Sequence, residues 1–296
     1  MKAPATYKYL PPAFADRLTG LGITVRRPVI GAQQGLHRSP NFGASVEFAE
    51  YREYRPGDAP SLIDWAVFAR SDKYMIRRFQ EETNLRAYIL LDTSESMSYR
   101  EDGPLTKLQY ASFLAAGLMY ILVHQSDWVG LLTFGEKLQK TFPPVGSFEG
   151  LRPLLLHLED LVPQGPSNIA GALHEAATTI RARSLVILIS DLLQNPAEIL
   201  RGVRHLQHDG HDVTVLHVLD GGEMALPFDG LVELRELETA KKMVIEASEI
   251  KDAYARTVAR HLDTLRRGCT DCLADYFMLD TKLPVEEALH RRAARR

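Results

Sequence analysis

Apolar and polar positions follow two periods along the 296-residue chain. From Ala87 onward, short apolar runs alternate with longer stretches in which apolar residues return every three or four positions, the signatures of buried strands and amphipathic helices. "AYILL" reads as a buried strand, Leu105 to His124 as a helix, "WVGLLTF" as a strand and "LQKTF", beyond the turn "GEK", as a short edge strand. A helix near Phe148 to Leu161 follows, then a helix opening at Ser167, the strand "SLVILIS", a helix after Pro196 and the strand "DVTVLHVL". Continuous apolar strands separated by helices predict a mostly parallel sheet covered on both faces, a doubly wound α/β fold.

The flanks are less regular. "LVELRELETAKKMVIEA" reads as two extended pieces around a turn, followed by a helix from Ser248 to about Arg267, the strand "DYFMLD" and a last helix with the basic end "RRAARR". At the other end, "PPAF" and "VIGAQQGLHRSPNFG" carry the prolines and glycines of a wrapping arm or loop. Four parts are expected: an N-terminal arm (1–45), a segment packed on the main domain (46–86), the α/β core (87–225), and a C-terminal elaboration (226–296) that completes the sheet or forms a small subdomain.

Composition narrows the class without naming it. Hydrophobic residues at 45% and charged ones at 25% are ordinary for a soluble globular chain. A formal charge of -3 and a pI near 6.4 give no general pull toward nucleic acid or an acidic membrane surface. Charge is uneven, net +4 over residues 1–86 and -7 over 87–296, which reads as solvated surface with both signs interspersed. No apolar run approaches the roughly 20 residues of a membrane helix, and the N-terminus lacks the apolar core of a signal peptide, so a cytoplasmic protein is expected. The lone "CTDC", Cys269 and Cys272, reads as incidental thiols on or after a helix end. His205, His208, His211 and His217 read as surface or strand residues rather than metal ligands.

Chemistry concentrates in "RAYILLDTSESMSY", Arg86 to Tyr99, where an apolar strand ends in Asp92 and continues with Ser94 and Ser96 at every second position. Doubly wound sheets bind ligands beyond the carboxyl ends of their strands. A second acid, Asp191, follows "LVILIS" at that edge, and "GPSNIAGAL" brings Ser167 and Asn168 to the start of a helix. A single acid at a strand-to-helix turn is explained by capping. Two carboxylates about 4 Å apart, however, repel by about 4 kcal/mol at an effective dielectric near 20, a conflict that a divalent cation removes. Carboxylate and hydroxyl oxygens without His or Cys suit a hard ion, Mg2+ first and Mn2+ or Ca2+ next.

This constellation resembles the von Willebrand factor A-like domain with its metal-ion-dependent adhesion site: D-x-S-x-S after the first strand, a Thr before a central helix and an Asp after a later strand. The pattern falls on Asp92, Ser94 and Ser96, then Ser167 in place of the Thr, then Asp191. "DWVGLLTF" is similar to that family's second core strand. The resemblance implies a Rossmann-like α/β fold and an incomplete coordination shell whose open position takes a partner's carboxylate. No nucleophile paired with a base is in evidence, so an interaction site is expected rather than an enzyme. The alternative is a Mg2+-dependent hydrolase or phosphoryl-transfer enzyme using Asp92, and a pure scaffold is a third reading.

The stretch Glu50 to Thr83 carries a second set of residues. Pro56, Gly57 and Asp58 mark a turn, while Ile63, Trp65 and Phe68 are candidate anchors. Arg52, Arg55, Asp58, Asp64 and Arg70 read as a local ion-pair and capping network. The stretch closely resembles the signature of a bacterial family of unknown function, number 58 in its series, which joins R-x-Y-x-x-G-D and I-D-W-x-x-x-A-R to a von Willebrand factor A-like domain. Arg52, Tyr54, Gly57 and Asp58 reproduce the first half, and Ile63, Asp64, Trp65 and Arg70 the second. Where members often have basic residues, this chain has Ser61, Leu62 and Ala66. The resemblance implies a protein partner, a MoxR-type AAA+ ATPase or its client, with the chain as an adaptor in maturation or remodelling of a complex. The chain has no G-x-x-x-x-G-K-[ST] nucleotide loop of its own.

Overall fold

The computed structural model describes residues 7–23, 37–43, 47–55, 58, 60–235 and 242–293. In chain order the elements are α1 (Pro12–Leu18), β1 (His37–Gly43), β2 (Glu47–Glu53), α2 (Trp65–Ser71), β3 (Met75–Thr83), β4 (Arg86–Asp92), α3 (Lys107–His124), β5 (Trp128–Phe134), β6 (Leu138–Val145), α4 (Phe148–Asp160), α5 (Ile169–Thr179), β7 (Leu185–Ser190), α6 (Pro196–His208), β8 (Asp212–Leu219), α7 (Gly221–Met224), β9 (Leu231–Arg235), β10 (Lys242–Glu246), α8 (Ala247–Asp271), β11 (Asp275–Asp280) and α9 (Val285–Ala293). They fall into two compact units, one of residues 1–26 with 86–296 and one of residues 27–85.

The larger unit is built on a six-stranded sheet in the order β11-β8-β7-β4-β5-β6. All pairings are parallel except that of the edge strand β6 with β5. It is the doubly wound, mostly parallel sheet that the apolar runs predict. Strand residues divide between two faces by their alternation. Leu90, Leu132, Val186, Leu188, Val213 and Val215 join one buried cluster with α5, α6 and α8. Ile89, Leu91, Ile187 and Ile189 alternate with them, and α3, which packs on β4, β5, β7 and β8, covers that side. α1, α4 and α9 pack against α3 in turn. The C-terminal part therefore completes the sheet through β11, while β9 and β10 form a separate antiparallel hairpin. Cys269 and Cys272 are free thiols in the α6/α8 core, and burial pushes the Cys269 thiol up to about 12.

The smaller unit holds an antiparallel sheet in the order β1-β3-β2. The stretch "HRSPNFG", expected as part of an arm, forms the strand β1 despite Pro40. β1 lies at the sheet edge and its register with β3 shifts between Arg38 and Phe42, which is where a residue without an N–H is tolerated.

Candidate metal centre

β4 and β7 are parallel neighbours with Leu91 opposite Ile189, so the residues that follow them emerge side by side at one rim of the sheet. Asp92 and Ser94 are wholly buried, and Asp191 and Ser96 nearly so. Asp92 Oδ1 accepts the Ser94 N–H at 2.9 Å; its Oδ2 accepts the hydroxyls of Ser167 at 3.0 Å and Ser190 at 2.7 Å. The Ser94 and Ser96 hydroxyls are 3.1 Å apart, and Ser96 helps to hold the Asp191 carboxyl below its usual value. All five residues singled out in the sequence, Asp92, Ser94, Ser96, Ser167 and Asp191, thus lie in one connected cluster. Ser167 does not cap the helix behind it; Asn168 does, accepting the Gly171 N–H at 2.9 Å, which leaves the Ser167 hydroxyl for Asp92.

The loops that carry these groups are laced together. Gln164 N donates to Thr93 O at 3.0 Å, Glu95 N to Gly165 O at 2.8 Å and Asn168 N to Gly135 O at 2.9 Å. Gly165 has φ +68°, a conformation that a side chain would strain. The Gln194 side chain donates to Ser167 O and accepts the Ile169 N–H at 3.0 Å. Leu192, directly after Asp191, is left-handed at φ 51°, which costs a bulky residue about 1–2 kcal/mol. Its N–H donates to Ser190 Oγ at 3.0 Å and its carbonyl bonds His261 Nε2 at 3.0 Å, so both of its backbone groups are held.

Electrostatics separate the two acids. Burial, and then the neighbouring charge of Asp191, push Asp92 up to about 6. Burial also works against a charged Asp191, but the Lys107 ammonium outweighs it and holds that carboxyl below its usual value. Lys107 is wholly buried and donates to Asp191 Oδ2 at 2.7 Å and Glu223 Oε1 at 2.5 Å. Among the described residues Asp92 forms no such ion pair. Behind the cluster, His217 Nε2 bonds Asp191 O at 2.7 Å and its Nδ1 bonds the Tyr276 hydroxyl at 2.7 Å. Burial depresses this imidazole to about 4, so it is neutral at ordinary pH.

The donor set fits a hard divalent ion: two carboxylates and several hydroxyls, no imidazole and no thiolate. Among the described residues no three His, Cys, Asp or Glu side chains gather as a ligand group, so an ion here would depend on the serines.

Lys107, Glu223 and Ser190 escaped the sequence reading, while His217, read there as a surface or strand residue, lies in β8. One signal was available, since a lysine at the first position of a helix opposes the dipole and needs an acid to justify it. The expectation of two acid-terminated strands was also short. β8 is followed by Asp220, which accepts the N–H groups of Asp102, Gly103 and Gly222 at 3.0, 3.2 and 2.9 Å, and β11 ends in Asp280.

In the smaller unit the signature residues are engaged by groups of their own segment. Arg52 pairs with both oxygens of Asp58 at 2.8 and 2.9 Å, and Asp58 also accepts the Arg55 N–H at 2.8 Å, which together hold that carboxyl below its usual value. Asp64 caps α2 by accepting Ala66 N at 3.0 Å and Val67 N at 3.2 Å, and it accepts the Tyr51 hydroxyl at 3.0 Å. Tyr54 N donates to Tyr74 O at 2.8 Å, Ile63 bridges Ile76, Trp65 lies edge-on to Phe68, and Arg70 bonds Ala66 O at 3.1 Å. Gly57 lies outside the described residues.

Uncharacterized proteins of Mycobacterium bovis and Mycobacterium tuberculosis are 27% identical to the chain over 276 residues, 91% of this chain and 86% of theirs. A conserved hypothetical protein, BatB from Bacteroides thetaiotaomicron, is similar in structure over 71% of this chain and 97% of its own, at 18% identity and a TM-score of 0.48. The VWA domain of SpRpn10 is similar over 71% of this chain and 95% of its own, at 12% identity and a TM-score of 0.43. Among the described residues no helix is long and apolar enough to cross a membrane. The model of one family, described as protein of unknown function DUF58, matches residues 50–264, and the chain belongs to that family.

Proposed function

We propose that the chain is a protein-interaction module whose docking point is a divalent cation, Mg2+ in the first instance, held by Asp92, Ser94, Ser96, Ser167 and Asp191. The observation that supports this reading most is Asp92 itself. It is a fully buried carboxylate, pushed up to about 6, that receives one N–H and two hydroxyls but no ion pair among the described residues. Such a charge is costly in the interior unless a cation joins it. When bound, the ion supplies a Lewis-acidic position for an anionic oxygen. The chain's own part is to fix the ligands: Ser94 N and Ser190 Oγ hold the two oxygens of Asp92, and Lys107 and Ser96 hold Asp191.

The visiting anion is a carboxylate of a protein partner. The signature resemblance suggests a MoxR-type AAA+ ATPase, or the client on which it acts. The chain then serves as an adaptor in maturation or remodelling of a complex. A nucleophilic role for Asp92 is less well supported, because its two oxygens are engaged by three donors and none of the side chain is exposed.

The test is a pull-down with a MoxR-type ATPase in Mg2+ or in EDTA, using wild type, Asp92→Ala and Ser94→Ala. Retention that needs the ion and is lost in both variants is the expected result. Retention indifferent to ion and mutation refutes the reading, and steady phosphate release from a model ester by the purified chain replaces it with the enzyme.

A further inference from the structure

Lys107 occupies a position that ordinarily excludes an ammonium. It is wholly buried, and it opens α3, where the helix dipole is already positive. Two acids that follow other strands hold it there, Asp191 Oδ2 at 2.7 Å and Glu223 Oε1 at 2.5 Å. Glu223 is positioned by its second oxygen, which accepts the Asp220 N–H at 3.0 Å in a capping box. Burial disfavours the ammonium, yet the two carboxylates outweigh burial and it stays protonated. The result is a tethered cation in direct contact with one of the two candidate metal-ligand acids, with no ion pair to the other among the described residues.

We infer that Lys107 sets how tightly the rim cluster holds its divalent ion, by neutralising Asp191 and leaving Asp92 as the carboxylate available to the metal at full charge. This deepens the metal reading above and rests on it. With Asp92, Asp191 and Glu223 ionised and Lys107 protonated, the cluster carries a net charge of -2, which one divalent ion balances. Without the lysine it would carry -3 and hold the ion more firmly. With it, two consequences follow. Asp191 stays charged and in place when the ion is absent, so the site is formed beforehand. The bound ion also keeps a stronger demand for a further anion, because one protein carboxylate has already been satisfied by the ammonium. Weak retention of the metal and strong capture of a visiting carboxylate are thus two effects of one residue.

The experiment is titration calorimetry of the full chain with MnCl2 at pH 8, on wild type, Asp92→Asn, Lys107→Met and Glu223→Gln. Lys107→Met is expected to bind Mn2+ at least about tenfold more tightly, since a nearby unit charge acting on a divalent ion exceeds the 1.4 kcal/mol that corresponds to tenfold. Glu223→Gln removes one negative charge, keeps an acceptor for the Asp220 N–H and preserves the Lys107–Asp191 pair; it is expected to bind several-fold more weakly. A second readout is the melting temperature. In EDTA, Lys107→Met should melt below wild type, and Mn2+ should raise it by more than it raises wild type. If Lys107→Met does not fold, the direction of change in Glu223→Gln decides alone. Affinities equal to wild type within about twofold overturn the role of Lys107 while leaving the metal site standing. Absence of any Mn2+ binding that depends on Asp92 overturns both.

Discussion

Replacing Asp92 by asparagine in the absence of metal should change stability in a pH-dependent way that reveals the buried charge. The folded protein holds the Asp92 proton up to about pH 6, against 3.8 for an ordinary Asp. A raised folded pKa means that its contribution is fully present below 3.8 and is lost as pH rises through 6. The rise from 3.8 to about 6 corresponds to about 3 kcal/mol in full, of which about 1 kcal/mol falls between pH 5 and 8. The asparagine side chain has the same shape and does not ionise: its oxygen can keep the Ser94 N–H, and its amide can donate to the Ser167 and Ser190 hydroxyls. The wild-type curve alone would mislead. His217 is depressed to about 4, so the unfolded chain protonates it first, which destabilises the fold as pH falls from 6.5 toward 4. The His217 contribution is common to both proteins and cancels in their difference. The assay is urea unfolding in EDTA at pH 5 and pH 8 for wild type and Asp92→Asn. Asp92→Asn should gain on wild type by about 1 kcal/mol between the two pH values, and should be at least as stable at pH 8. Added Mg2+ should stabilise wild type more at pH 8 than at pH 5, where protons compete for the same oxygens, and should leave Asp92→Asn unmoved. A difference between the proteins that does not change with pH refutes the reasoning.

Other residues give independent checks. Cys269 is buried, with its thiol pushed up to about 12, so neither it nor its core neighbour Cys272 should react with a thiol reagent at pH 8 until the protein is unfolded by denaturant. Asp64→Ala removes the cap of α2 and the acceptor of the Tyr51 hydroxyl, which should cost about 1–2 kcal/mol, read as faster hydrogen exchange at Ala66 and Val67. His217→Phe removes the hydrogen bonds to the Asp191 carbonyl and the Tyr276 hydroxyl; it should cost about 1–3 kcal/mol at pH 8 and flatten the loss of stability between pH 6.5 and 4, measured by urea unfolding.

The parts of the fold that were legible in the sequence are those in which one physical signal dominates. "DVTVLHVL" coincides with β8 because a buried parallel strand must be apolar almost throughout, and "DYFMLD" with β11, a half-buried edge strand whose apolar run is bounded by acids. β1 was hidden by Pro40, which is allowed only because the strand lies at an edge with an irregular register. α1 was hidden in "PPAFADRL", where Pro12 marks a first helical position that also suits a loop. In the rim cluster, the acids and hydroxyls directly after strands could be listed from spacing, since strand ends at one edge of a parallel sheet must lie together. Lys107 and Glu223 could not. Their meeting depends on a turn of α3 and a one-turn helix after β8 arriving at the same point, which no local pattern encodes.

Crystals soaked in MnCl2 and measured for anomalous scattering test the central claim most directly. The expected result is one strong peak at the rim of the sheet, within coordination distance of Asp92 and of serine hydroxyls of the cluster, absent from Asp92→Asn crystals. A cluster that keeps the geometry described above and shows no peak, or a peak held by other residues, would contradict it.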